Sequence, residues 1–263
     1  MATVSPAVSA APLPVSSGPR DYGARTAVGD RLLPTAPPQE RYEIAWRDAD
    51  GRLQIANPTA PALPLFHAAF AGLGHGAMVQ TPDGPVPVED LWPGDLVETC
   101  EDGPQPIVWR GSLGLRAGSE QHSAFDAPPA LWRVLAETFG PARPAQDLVL
   151  GAGARLVQQH AGAATPLQPR QRLVTIAQLG DSGAVVPITP RGTVQMYSIA
   201  LARHASLTVA GLRLASYHPC VTLRTSLPQE ILAQFLGLFP HIDLPGDFGP
   251  LCYPMRDHAG DED

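Results

Sequence analysis

The chain contains no lysine and a single asparagine, Asn57; all eighteen of its cations are arginine. Those arginines are scattered and the net charge at pH 7 is -7, so the basic patch that a nucleic-acid partner requires is missing. Cysteine is scarce. Cys100, Cys220 and Cys252 lack the short paired spacing of a zinc site, and they read as plain thiols that behave mainly as small hydrophobes. No metal or cofactor is expected. Aromatic residues make up only 6% of the chain, so the core has to be built mainly from Ala, Val, Leu and Ile. No apolar run reaches the roughly 18 residues of a membrane-spanning helix. The amino-terminal stretch from Met1 to Pro14 lacks a basic region and is broken by proline, which makes it a poor cleavable signal peptide. The expected location is cytoplasmic, or outside the cell by way of an uncleaved signal.

What is present supports a folded core: 44% of the residues are hydrophobic and 16% are charged. Thirty prolines and 25 glycines punctuate the chain often, which favours short strands and turns over long helices. Residues 1–40, rich in Ala, Pro, Ser and Gly, read as a flexible tail. Residues 41–66 read as an extension built on a hairpin, with Tyr42 to Trp46 and Leu53 to Ile55 flanking an Asp48-to-Gly51 turn. Turn signals at Pro82-Asp83-Gly84, Trp92-Pro93-Gly94-Asp95 and Glu101-Asp102-Gly103 then separate short strands ending near Trp109. Leu131, Val134, Leu135 and Phe139 space like one face of a helix between Asp126 and Gly140. Strands are expected at 147–150 and 155–157. A hairpin is expected from 196–202 and 205–209, with a further strand at 212–214. A second helix is expected at 227–237, with Ser226 and Gln229 as its capping box and Ile231, Leu232, Phe235 and Leu236 as a stripe facing the core.

The most specific stretch runs from Phe70 to Trp109. It contains Thr81-Pro82-Asp83-Gly84, Val88-Glu89-Asp90-Leu91, Gly94-Asp95-Leu96-Val97 and Gly103-Pro104-Gln105-Pro106-Ile107-Val108-Trp109. This succession resembles the opening of a Hint domain, the self-processing module of hedgehog proteins and inteins. The resemblance covers about residues 67–220 and implies an all-β, horseshoe-like fold with one or two short helices. Residues 221–263 are expected to follow as a carboxyl-terminal helix and an acidic tail. Ser216-Tyr217-His218-Pro219-Cys220 and Phe239 to Pro250 are similar to a bacterial hedgehog/intein-like branch, within it to a subgroup that lacks the nucleophilic cysteine.

The chemistry that the resemblance implies starts with a cysteine thiolate attacking the preceding carbonyl. A Thr-x-x-His element holds the scissile amide, and its imidazole protonates the leaving nitrogen. In this chain the nucleophile position falls on Gly72, and no Cys, Ser or Thr occurs between Phe70 and Met78. The hydroxyl position falls on Gly151 and the imidazole position on Ala154, leaving only the following Arg155. The small residues imply a shallow ligand or peptide pocket where the family has its cleft. Remaining groups with some chemical potential are Cys220, His218 and His204; His75 reads as an exposed turn residue. Pro219 has no side-chain amide, so the succinimide chemistry of inteins is impossible there.

Other enzyme classes fit less well. Gly151-Ala152-Gly153 lacks the third glycine of a dinucleotide fingerprint, since Leu156 stands in its place. Gly111-Ser112-Leu113-Gly114 lacks the spacing of a hydrolase nucleophile elbow. Two readings remain: an inactive Hint module that binds a protein or peptide partner or plays a structural part, and a self-processing protein with a displaced nucleophile such as Cys220.

Overall fold

A computed structural model describes residues 37–116, 131–159, 171–220 and 227–256. The expected tail therefore lies outside the described residues up to position 36, and so does the acidic end beyond 256. Order begins slightly earlier than expected: β1 (Gln39–Arg41) already pairs antiparallel with β4 (Thr59–Pro61). Between them β2 (Glu43–Arg47) and β3 (Leu53–Ala56) form the expected hairpin. Its turn is held by the Asp48 carboxylate, which accepts the backbone N–H groups of Asp50 and Arg52 at 3.0 and 2.9 Å. The proline-rich run leads into a helix that periodicity did not reveal, α1 (Pro64–Phe70). Pro64 suits its first position, where the missing N–H goes unneeded, and Phe66, Ala69 and Phe70 form its buried side.

Short strands follow at the turn signals: β5 (Leu73–Gly74), β6 (Met78–Thr81), β7 (Gly84–Pro87) and β8 (Leu96–Thr99). The 13-residue β9 (Gly103–Leu115) is the spine of the fold. Its first part, Gly103 to Pro106, pairs with β8. Its later part pairs on one edge with β2 and on the other with β15 (Val194–Leu201). One strand thus carries the hydrogen-bond ladder from one half of the sheet into the other.

Two expectations are corrected here. The helix expected between Asp126 and Gly140 lies outside the described residues up to 130. From Leu131 onward it is replaced by β10 (Leu131–Val134) and turns. β10 lies next to the sheet edge, pairing with β11 (Leu148–Gly151) on one side and the edge strand β14 (Val185–Ile188) on the other. Leu131 and Val134 are both buried, but each enters a different hydrophobic cluster, as opposite faces of one strand do. The hairpin expected from 196–202 and 205–209 does not form either. β15 pairs with β9 and β5, whereas β16 (Ser206–Val209) pairs with β6, β8 and β17 (Leu212–Ala215). The connection at Ala202-Arg203-His204 is therefore a crossover between two sheet regions. The remaining strands, β12 (Arg155–Gln159) and β13 (Gln171–Thr175), finish that second region.

The second helix, α2 (Gln229–Leu236), is shorter than expected, with Pro228 at its start and no side-chain cap; Ser226 lies outside the described residues. Its stripe packs inward, with Phe235 fully buried against Phe66 at 5.6 Å between ring centroids. No helix among the described residues is long and apolar enough to cross a membrane. The fold is all-β with two short α-helices among the described residues.

Aromatic residues are few, and half of the sixteen gather in one place. Tyr42 and Phe66 from the extension and Phe70 at the end of α1 share one cluster with Trp109 on β9 and Tyr217, Phe235, Phe239 and Phe248 from the later chain. Trp109 sits in the middle, 5.4 Å from Phe70 and 4.6 Å from Phe239 between centroids. Its indole N–H donates to the Leu238 carbonyl at 2.9 Å in a fully buried setting. Trp109→Phe removes that donor, orphans the carbonyl and leaves a void. It is expected to cost about 2 kcal/mol in the free energy of urea unfolding.

Candidate functional site

The three positions implied by the family chemistry meet at one place in the structure. Helix α1 ends at Phe70, and the chain passes through Ala71 into Gly72, whose N–H donates to the Tyr197 carbonyl at 3.2 Å. Gly151, at the end of β11, donates its N–H to the Gly72 carbonyl at 3.1 Å. Gly153 donates its N–H to the Ala71 carbonyl at 2.9 Å, and Ala154 closes the turn by donating to the Gly151 carbonyl at 3.0 Å. The Arg155 guanidinium braces the same turn, donating to the Gly153 carbonyl at 2.7 Å.

This approach is so close that the turn cannot carry side chains where Gly151 and Gly153 stand. A β-carbon at Gly151 would collide with the Ala71 carbonyl, and one at Gly153 with the Ala68 carbonyl. At Gly72 a β-carbon would have more room, 3.1 Å from the Ser198 hydroxyl and 3.2 Å from the Tyr197 carbonyl oxygen. The expected shallow pocket is absent. Only about 20 Å³ remains between Gly72, Gly153, Ala154, Ser198, Ser216 and Tyr217, room for about one water molecule. The backbone of Ala68 to Ala71 occupies the space that shortening the side chains would otherwise have opened.

Ser198 was not visible as a site residue in the sequence. It belongs to an ordinary strand pattern, and only the pairing of β15 with β5 brings it beside Gly72. Its hydroxyl has no carboxylate or imidazole among the residues lining the small cavity.

The outlying candidates form a second group. His204 and His218 stand 5.0 Å apart, centroid to centroid, edge to face. His204 accepts the Cys252 N–H at Nδ1 (2.9 Å), which makes Nε2 the protonated nitrogen that donates to the Ser216 carbonyl at 3.1 Å. His218 accepts the Cys220 N–H at Nδ1 (2.8 Å) and donates from Nε2 to the Gly249 carbonyl at 3.0 Å. The two rings fasten the segment 249–252 to the sheet. Beyond it, Leu173 and Arg256 extend the attachment through backbone bonds of 2.8 and 2.9 Å to the edge strand β13. Burial, with His218 beside it, pushes the His204 imidazole down to about 3.

Cys220 is buried in a left-handed backbone conformation, φ 54°, and its thiol donates to the His218 carbonyl at 3.3 Å. Burial raises its pKa, which works against thiolate formation. His75 is exposed, as its turn position implied, and its imidazole lies 3.3 Å from the Glu89 carboxylate. Among the described residues no group of three or more His, Cys, Asp or Glu side chains is placed to hold a metal ion.

The Hint domain family model matches residues 71–221, more than half of the chain, and its first matched residue is the one whose carbonyl meets Gly153. No curated protein matches the chain.

Two outcomes follow from this geometry. Gly151→Ser forces a β-carbon against the Ala71 carbonyl and is expected to destabilise the fold by about 1–3 kcal/mol, measured by thermal or urea unfolding. The second concerns pH. The folded chain holds His204 at about 3 and His241, also by burial, at about 4, whereas an unfolded histidine titrates near 6.5. Below 6.5 the unfolded chain therefore binds protons that the folded chain does not. The stability from these two groups is complete above about pH 6.5 and is lost as pH falls toward 4. For His204 the slope reaches up to about 1.4 kcal/mol per pH unit. Calorimetric melting between pH 7.5 and 4.5 measures it, and a flat melting temperature across that window contradicts the arrangement.

Proposed function

The chain belongs to the Hint domain family, and from that premise we propose that it is a member that leaves its own backbone uncut and serves as a binding or structural module. The observation that carries this reading is the environment of the Ala71 carbonyl, the bond that family chemistry would attack. It accepts the Gly153 N–H and is hemmed in by Gly151 and Gly153, and the residue after it is Gly72.

Self-processing needs a nucleophile within reach of that carbonyl and an acid for the leaving nitrogen. General acid catalysis alone contributes about 10²–10⁴ in rate. Gly72 supplies no nucleophile and Ala154 no acid. The Ser198 hydroxyl would need a base to activate it, and the cavity that it faces has none. Cys220 is the other nucleophile to weigh. Its raised pKa, its buried thiol and its hydrogen bond to the His218 carbonyl all speak against attack on a peptide bond. His204 and His218 already spend their ring nitrogens on holding the 249–252 segment.

The packing of the extension supports the same reading. Tyr42, Phe66 and Phe70 precede the first matched residue and are all fully buried, and β2 is paired along β9. Breaking the chain at Ala71 would sever a segment that belongs to the core. Placement in the bacterial hedgehog/intein-like branch, in a subgroup without the cysteine, rests on Gly72, on Ser216 to Cys220 and on Phe239 to Pro250.

Intact-mass measurement of the full chain in dithiothreitol and in hydroxylamine tests the proposal. A single mass, unchanged over days and equal to that of the intact chain, is expected for each of wild type, Ser198→Ala and Cys220→Ala. Fragments that break beside residue 71 or 219 and vanish in either variant would establish self-processing instead.

A further inference from the structure

Strand β12 is paired along its full length on one edge only. There it joins β13 from Arg155 to Gln159. On the other edge Leu156 pairs with Leu214 of β17, and beyond that pair the two strands part. Among the described residues Val157, Gln158 and Gln159 have no strand partner on this side, while Leu212 and Arg213 of β17 pair only with β16. The gap is a groove of about 680 Å³, within the roughly 300–1,000 Å³ of ligand clefts. Its lining comes from both faces of the sheet. Leu156 and Leu212 belong to the buried core; Thr208 and Arg213 pair across β16 and β17, with the exposed Cys100 beside Thr208. The groove therefore lies between the strands rather than on top of either.

The shape and charge of this groove select its occupant. A free antiparallel edge presents the N–H and C=O of every second residue, and an extended main chain answers both. Three residues at about 3.3 Å each give an edge of about 10 Å, which a segment of about four residues covers. The charged side chains lining the groove are Arg143 and Arg213, and no Asp or Glu lines it. Arg213 also donates to Glu101 and to the Tyr253 hydroxyl, at 3.2 and 2.9 Å, which fixes its guanidinium at the groove wall. Arg143 stands exposed. In a chain of net charge -7 this lining is locally positive.

We infer that the groove takes an extended acidic segment of a partner protein, which adds to the free edge of β12 as a short strand. Its acidic side chain faces Arg143 and Arg213, and its apolar side chains lie against Phe139 and Leu212. The inference rests on the binding reading above and gives it a site and a partner class.

The capped peptide acetyl-Val-Thr-Glu-Thr-Val-amide is the probe, titrated calorimetrically into the full chain at pH 7.5. Saturable binding with a Kd below about 1 mM is expected. The same peptide with every amide nitrogen methylated cannot donate to β12 and is expected to bind at least about tenfold more weakly. Lys in place of the Glu is expected to lower affinity about threefold. Bound probe is expected to slow amide exchange at 157–159. Cys100→Trp fills the groove from an exposed position and is expected to abolish saturable binding. No saturable binding up to about 5 mM overturns the inference. Equal affinity for the methylated peptide overturns it with the wild-type chain alone, whatever the fold of the variant. So does unchanged exchange at 157–159, or unchanged binding by folded Cys100→Trp. Self-association of the chain that the probe reverses assigns the edge to a second copy and overturns the choice of partner. Chain cleavage in the mass experiment would overturn the uncut-module reading without altering these titrations.

Discussion

The buried hydrogen bond from Trp109 to the Leu238 carbonyl ties together segments that are far apart in sequence. In the cluster around that indole, the extension and helix α1 contribute Tyr42, Phe66 and Phe70, and the carboxyl-terminal region contributes Phe235, Phe239 and Phe248. In a chain with so few aromatic residues, gathering this many into one cluster, with Phe70 and Phe239 directly against the indole, concentrates apolar burial at the junction of both flanks with strand β9. Helix α1, whose last carbonyls lie over the glycine turn, is held in this cluster through Phe66 and Phe70.

That placement gives the missing side chains a physical meaning. Gly72, Gly151 and Ala154, considered as sequence, describe an emptied reaction centre. In the structure Gly151 and Gly153 are packed directly against peptide backbone. The Ala68 and Ala71 carbonyls come so close to the 151–154 turn that only glycine fits at 151 and 153, while Arg155 supports the turn from below through the Gly153 carbonyl. The histidines that remain bond backbone groups: His204 and His218 hold the 249–252 segment, and burial favours their uncharged form at His204. A site built for proton transfer and a site built for attachment can use the same residue type; the difference lies in whether the ring nitrogens are already bonded.

Local turn chemistry was the most legible part of the sequence. The Asp-Gly and Gly-Asp signals between Thr81 and Gly103 bound strands β6 to β9, and Asp48 to Gly51 bounds the first hairpin. Long-range pairing was not legible. Leu131 and Val134 have a helical spacing, yet a strand buried on both faces satisfies the same two positions, and β10 is such a strand. The 196–209 region looks like a hairpin because two apolar runs flank a polar connection, but the chain crosses there between sheet regions. Helix α1 was hidden by the prolines before it. The sequence reading placed Gly72, Gly151 and Ala154 in one reaction centre, and the fold brings them together. Ser198 could only be found once the strands were in place.

The aromatic cluster also bears on how the protein comes to be made. During synthesis the hairpin, α1 and β9 leave the ribosome long before Phe235, Phe239 and Phe248 exist. Until Leu238 and Phe239 have been added, the indole N–H of Trp109 lacks its final acceptor and its ring lacks the Phe239 neighbour. The first half of the chain therefore waits with Phe66 and Phe70 incompletely covered, the kind of exposure on which aggregation and chaperone capture depend. For this molecule the vulnerable interval is set by translation speed through its second half.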